Sequence, residues 1–86
     1  MRSVGYTGKP LSPGQLAALR LAASGYTSRQ IATRLGSTER GIHLRLKEVQ
    51  VRLGARSRTH AAVIALRRGL IHFHELELGH QQEAAA

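Results

Sequence analysis

Apolar and polar positions fall into four short blocks, each preceded by a hydroxyl residue and followed by glycine. The first block, Leu11 to Gly25, reads as a helix. Ser12 is placed to cap it, Pro13 suits the first helical position, and Gln15 completes a Ser-x-x-Gln capping box. Leu16, Leu19 and Ala23 form one stripe, with Leu11 set to staple against Leu16. Ala18 and Ala22 permit close helix approach, and Gly25 marks the stop. The pattern repeats with Thr27 and Gln30 as a second box, Ile31, Ala32 and Leu35 inward, and Gly36 as the stop, a helix of about two turns. Thr38 then caps a third helix, predicted over residues 39–53 and closed by Gly54. Gly41 occupies its box position, and glycine there lowers helix stability by about 1 kcal/mol relative to alanine.

At about 100° per residue, Ile42, Leu46, Val49 and Leu53 lie within about 60° of one another and form a core stripe. The opposite face carries Arg40, His43, Leu44, Lys47, Glu48 and Val51. A merely solvated face has little use for Leu44, whereas an aliphatic side chain can pack on a thymine methyl. After the basic loop 55–58, a fourth helix is predicted over 59–68, ending at Gly69. Its Ala-Ala-Val-Ile-Ala-Leu run is apolar almost all round, more than one buried stripe requires. The surplus points to a partner surface, most economically a second copy of the chain. Leu70 and Ile71 are expected to fold back on the core. Residues 1–10 are Gly-rich and without period, a flexible arm. Residues 72–86 form an acidic tail, partly helical through Phe73, Leu76 and Leu78 and fraying in Gln-Gln-Glu-Ala-Ala-Ala. The expected fold class is therefore all-α: four helices over 11–71, with room for a C-terminal helical extension.

Charge sharpens this picture. The 86 residues carry 13 Lys and Arg against 5 Asp and Glu, a net +8. Residues 11–71 hold eleven of the cations and only Glu39 and Glu48, so 11 − 2 = +9. All the cations except Lys9 and Lys47 are arginine, the side chain best suited to phosphate and guanine edges. Such a block attracts polyanions. No cysteine is present, so neither disulfides nor thiolate metal sites stabilise the fold. No run approaches the roughly 18 apolar residues of a membrane span, and no signal-peptide core is visible. A cytosolic, nucleoid-associated protein that needs no membrane is expected. His72-x-His74-Glu75, with His80 beyond, lacks firm metal-ligand spacing, so no metal is expected. No phosphate loop, carboxylate pair or nucleophile–base set can be assembled, so neither catalysis nor a cofactor is expected.

A short helix, a turn at Gly36–Ser37 and a longer helix with an unspent outer face make a helix-turn-helix pattern. Residues 11–71 resemble the LuxR/GerE helix-turn-helix domain. The resemblance rests on Leu11-Ser12-Pro13, the run from Gly25 through Tyr26-Thr27-Ser28-Arg29-Gln30-Ile31 to Ala32, and Arg34-Leu35-Gly36. It continues in the Leu46…Leu53-Gly54 spacing, Arg58-Thr59, and the closing Ala65-Leu66-Arg67-Arg68-Gly69-Leu70-Ile71. It implies a four-helix domain that binds the major groove of double-stranded DNA as a dimer. Carried over by position, His43, Leu44, Lys47 and Glu48 face the bases. Thr27, Ser28 and Arg29 sit by the phosphates at a helix N-terminus. Charge and location add Arg40, Arg56 and Arg58 to the phosphate set. The fourth helix, through Thr59, Ala62, Val63, Leu66 and Arg67, makes the dimer contact.

The sequence departs from the family at the start of its first helix and along its reading helix, where Ile42 also stands for the usual Val. Gln15 stands where Glu is usual and Gly41 where Thr is usual. His43 replaces a lysine, which weakens the local positive charge near neutral pH, and Arg45 replaces a histidine. Length leaves no room for the sensor domain most members carry, and the initiating Met suggests a complete single-domain chain. A second reading keeps the fold but uses helix 4 or the tail to bind another regulator or RNA polymerase. Gly41, Leu44 and Val51 favour it; the +9 block with Arg29, Arg40 and Lys47 favours DNA.

Overall fold

The computed structural model describes residues 11–77; the arm 1–10 and residues 78–86, including His80, lie outside the described residues. Four α-helices are present, α1 (Pro13–Ala23), α2 (Ser28–Leu35), α3 (Glu39–Leu53) and α4 (Arg58–Arg67), and among the described residues there is no strand.

Local caps set the boundaries. In α1 the Gln15 N–H donates to Ser12 Oγ at 3.1 Å, and the Ser12 N–H donates to Gln15 Oε1 at 2.9 Å. Thr27 and Gln30 repeat this reciprocal pair at 3.1 and 2.9 Å. Each box satisfies donors that a helix start would otherwise leave unpaired. Gly36 and Gly54 end α2 and α3 at φ 66°, a left-handed turn that a side chain would strain. At the end of α1 the cap is Ser24, with Gly25 one residue beyond, so the helix is shorter than the sequence pattern suggested. Helix α4 begins earlier than expected. Ser57 Oγ accepts from the His60 N–H at 3.0 Å, so Arg58 is the first helical residue and not part of the loop.

Helix α3 is the centre of the bundle and packs against each of the other three. Its Ile42, Leu46, Val49 and Leu53 are all buried, as the period required. The largest fully buried side chains are Leu19, Ile31, Ile42, Val49 and Ile71, and α4 adds Ala61 and Ala65 to the same core. In α1 the buried apolar residues are Ala18, Leu19 and Leu21, while Leu16 and Ala23 are only partly covered. Gly41 also differs from the sequence reading. A Cβ there would lie 2.9 Å from Ser37 Oγ and 3.1 Å from Thr38 Oγ1, because the capping hydroxyl of Thr38 and the neighbouring Ser37 hydroxyl lie over it. The glycine makes room for the cap as well as lowering helix propensity.

The segment after Ile71 corrects the expectation of a helical extension or a solvated tail over its described part. Residues 73–75 form a single 3-10 turn, and residues 72–77 run back across α1 and the α1–α2 turn as a strap. Arg20 Nε meets Glu75 Oε1 at 3.2 Å. Glu77 accepts from Tyr26 Oη at 2.8 Å and from Arg34 at 2.7 Å, and its N–H donates to Ser24 Oγ at 2.9 Å. The Arg34 guanidinium also lies 5.1 Å from the Tyr26 ring centre. The Glu77 hydrogen bond, and after it that of Tyr26, raise the pKa of Arg34.

The backbone N–H of His72, followed by the Arg20 guanidinium, holds the Glu75 carboxyl below its ordinary value of 4.5. A depressed carboxylate contributes stability above its unfolded pKa and loses it as pH falls through the folded value. Glu75→Gln is therefore expected to melt below the parent protein near neutral pH. The gap should close as pH falls from neutrality through the ordinary carboxylate value of 4.5 and below it. Melting curves by circular dichroism in that range check it, and a gap independent of pH would show that Glu75 contributes nothing through its charge.

Candidate nucleic-acid interface

With four α3 residues spent on the core, the outer face of the same helix is left to solvent. Arg40, His43, Leu44, Lys47, Glu48 and Val51 are all exposed, Leu44 at 58% and Val51 at 64%. Residues 40, 43, 44 and 47 share one side because positions three and four apart are neighbours on a helix. Glu39, Arg40, His43 and Leu44 line one shallow depression, and Lys47, Glu48, Val51 and Arg52 another. Glu39 lies 3.8 Å from His43 Nε2 across one helical turn.

The surrounding residues are less uniform than the sequence suggested. Thr27 and Arg29 are exposed at the start of α2, where backbone N–H groups emerge. Ser28 is buried, and its Oγ accepts a hydrogen bond from the Arg58 guanidinium. Arg58 thus joins the first turn of α4 to the first turn of α2. It also borders a cleft with His43, Leu46, Lys47 and Gln50, beside the outer face of α3. Arg56 is exposed, its N–H donating to His60 Nδ1 at 3.0 Å. Glu48 is exposed but not independent, for Gln15 Nε2 donates to its Oε1 at 2.9 Å. Sequence reasoning missed this link and the Ser28–Arg58 pair. The only hints were a glutamine in place of glutamate at 15 and an acid midway along a basic helix face.

The residues expected at a dimer contact lie on one side of α4. Thr59, Val63 and Arg67 are exposed, and Ala62 and Leu66 are partly covered. Thr59, Ala62, Val63 and Leu66 line an apolar groove with Ala22, Ala23, Arg58, Phe73 and Leu76. Val63 is 54% and Phe73 68% exposed. His72 and His74 stack at 5.6 Å between ring centres. Among the described residues, no set of three side chains is placed to hold a metal ion. No described helix is long and apolar enough to cross a membrane.

A short capped helix, a glycine turn and a long helix with a basic outer face are the parts of a helix-turn-helix. Residues 9–65 match the family described as bacterial regulatory proteins, luxR family. The chain belongs to that family. A curated relative, the transcriptional regulatory protein YdfI of Bacillus subtilis (strain 168), is 38% identical over 61 residues. The matched segment is 71% of this chain and 29% of that protein, so the chain spans well under half the relative's length. No solved structure matches. The luxR-family match covers α1, α2 and α3 and most of α4, and stops short of the strap.

Proposed function

We propose that this luxR-family chain is a DNA-binding transcriptional regulator that reads the major groove with α3 and works as a homodimer through α4. One observation carries the reading. The longest helix spends Ile42, Leu46, Val49 and Leu53 on the core and turns Arg40, His43, Leu44 and Lys47 to solvent. In this reading His43, Leu44, Lys47 and Glu48 meet base edges. Thr27, Arg29, Arg40 and Arg56 meet phosphates, and Arg58 with Ser28 fixes the angle between the two ends of the interface. Two copies joined through α4 would set their reading helices about one DNA turn apart, roughly 34–36 Å. Such a protein acts at the nucleoid in the cytosol. Salt-dependent selection from a genomic fragment pool tests it. A palindromic motif whose affinity falls steeply with salt is expected, and salt-insensitive binding without a motif would refute it.

The dimer part has its own test. Val63→Glu places a charge on an exposed position of the α4 groove and should leave the monomer folded. Sedimentation is expected to shift from dimer to monomer. Affinity for a two-half-site duplex should fall by about tenfold or more while half-site binding persists. A variant that still sediments as a dimer would remove α4 from the interface. A second reading, binding of RNA polymerase or another regulator, is favoured by the exposure of Leu44 and Val51 on the same face. It predicts that Arg40→Ala and Lys47→Ala are nearly silent in DNA binding.

A further inference from the structure

Glu48 is an acid on the face proposed to approach a polyanion, and Gln15 holds it there. The amide of Gln15 has no freedom to turn over. Its Oε1 accepts from the Ser12 N–H at 2.9 Å, and its Nε2 donates to Glu48 Oε1 at 2.9 Å. Reversed, the amide would set N–H against N–H and carbonyl oxygen against carboxylate. Gln15 itself is only 5% exposed, so the bond reaches out from the α1 cap, 33 residues away in sequence, to the surface of α3. A glutamate at 15 could serve the cap but would oppose Glu48 with a second carboxylate.

We infer that Gln15 is a positioning residue that aims Glu48 at a base bearing a major-groove amino group, cytosine above all. The inference rests on the DNA-reading function proposed above. A carboxylate accepts and cannot donate, so it can pair with cytosine N4–H or adenine N6–H. It is repelled by the acceptor edge of guanine and by thymine O4. One carboxylate oxygen is occupied by Gln15; a carboxylate has a second with which to accept from the base. An exposed glutamate left to rotate would simply turn away from the phosphates. Held by a buried amide, it becomes a discriminator, a selective element that adds little affinity.

Selection and sequencing of bound duplexes tests this with the full chain and three variants, Glu48→Ala, Glu48→Gln and Gln15→Glu. For the parent, one position per half-site is expected to prefer cytosine or adenine over guanine or thymine by about tenfold. Glu48→Ala should erase that preference alone, and Glu48→Gln should shift it by admitting bases that need a donor. Gln15→Glu keeps an acceptor for the cap, so circular dichroism should be unchanged while the preference at that position falls below about threefold. If Glu48→Ala erases the preference and Gln15→Glu does not, the positioning role is wrong while the reader stands. An unchanged motif in Glu48→Ala overturns the inference entirely. Absence of any motif for the parent overturns the DNA-reading function and this inference with it.

Discussion

Lys47→Ala is expected to lower affinity for the preferred duplex by about 10- to 100-fold and to relax selection at one base position. Lys47 is the only lysine on α3 and is exposed midway along its outer face, between His43 and Val51. The base contact proposed there would supply sequence discrimination, so random duplexes should be affected less than the selected site. Arg29→Ala provides the contrast. In the phosphate-contacting role proposed for Arg29 at the start of α2, its loss should weaken all duplexes alike and reduce the slope of log affinity against log salt by about 1. Both side chains are exposed, so circular dichroism and melting temperature should hardly change. Equal losses on selected and random DNA would demote Lys47 to a phosphate contact. No loss at all would favour the protein-binding reading.

Much of this architecture could be read directly because its determinants are local. Ser12 with Gln15 and Thr27 with Gln30 act within one helical turn, and Gly36 and Gly54 stop helices through their own backbone freedom. The α3 stripe needs only the helical period. Contacts that join distant segments were hidden. Glu75 and Glu77 are 55 and 51 residues from their partners Arg20 and Tyr26, and opposite charge in the tail did not say which arginine each would meet. The α4 pattern was half legible. Val63 is indeed left over, yet Ala62 and Leu66 are partly covered beside Phe73 and Leu76, a neighbour that exists only once the strap has folded back. Ser28 was placed by position among the phosphate contacts. Arg58, one residue earlier in its helix than the loop reading allowed, reaches it and buries its hydroxyl.

Ile42→Ala is expected to unfold much of the protein under conditions in which Leu44→Ala leaves it intact. The two residues are two positions apart on α3 and point to opposite sides. Ile42 is fully buried, and Leu44 is 58% exposed. Removing a buried isoleucine to alanine costs about 2–5 kcal/mol, from lost burial and from the cavity left behind. A domain of this size has only roughly 3–10 kcal/mol in total, at about 0.05–0.15 kcal/mol per residue. The core has little capacity to close the gap, since Leu19, Ile31, Val49 and Ile71 are already fully buried and belong to different segments. Leu44→Ala should instead stay within about 0.5 kcal/mol of the parent in urea titration. Its effect should appear only with DNA, as lost preference for a thymine methyl at one position. If Leu44→Ala destabilised the fold as strongly as Ile42→Ala, the outer face of α3 would be structural. Separate losses, folding in one variant and base selection in the other, are what a helix that carries the core on one side and the reading face on the other must give.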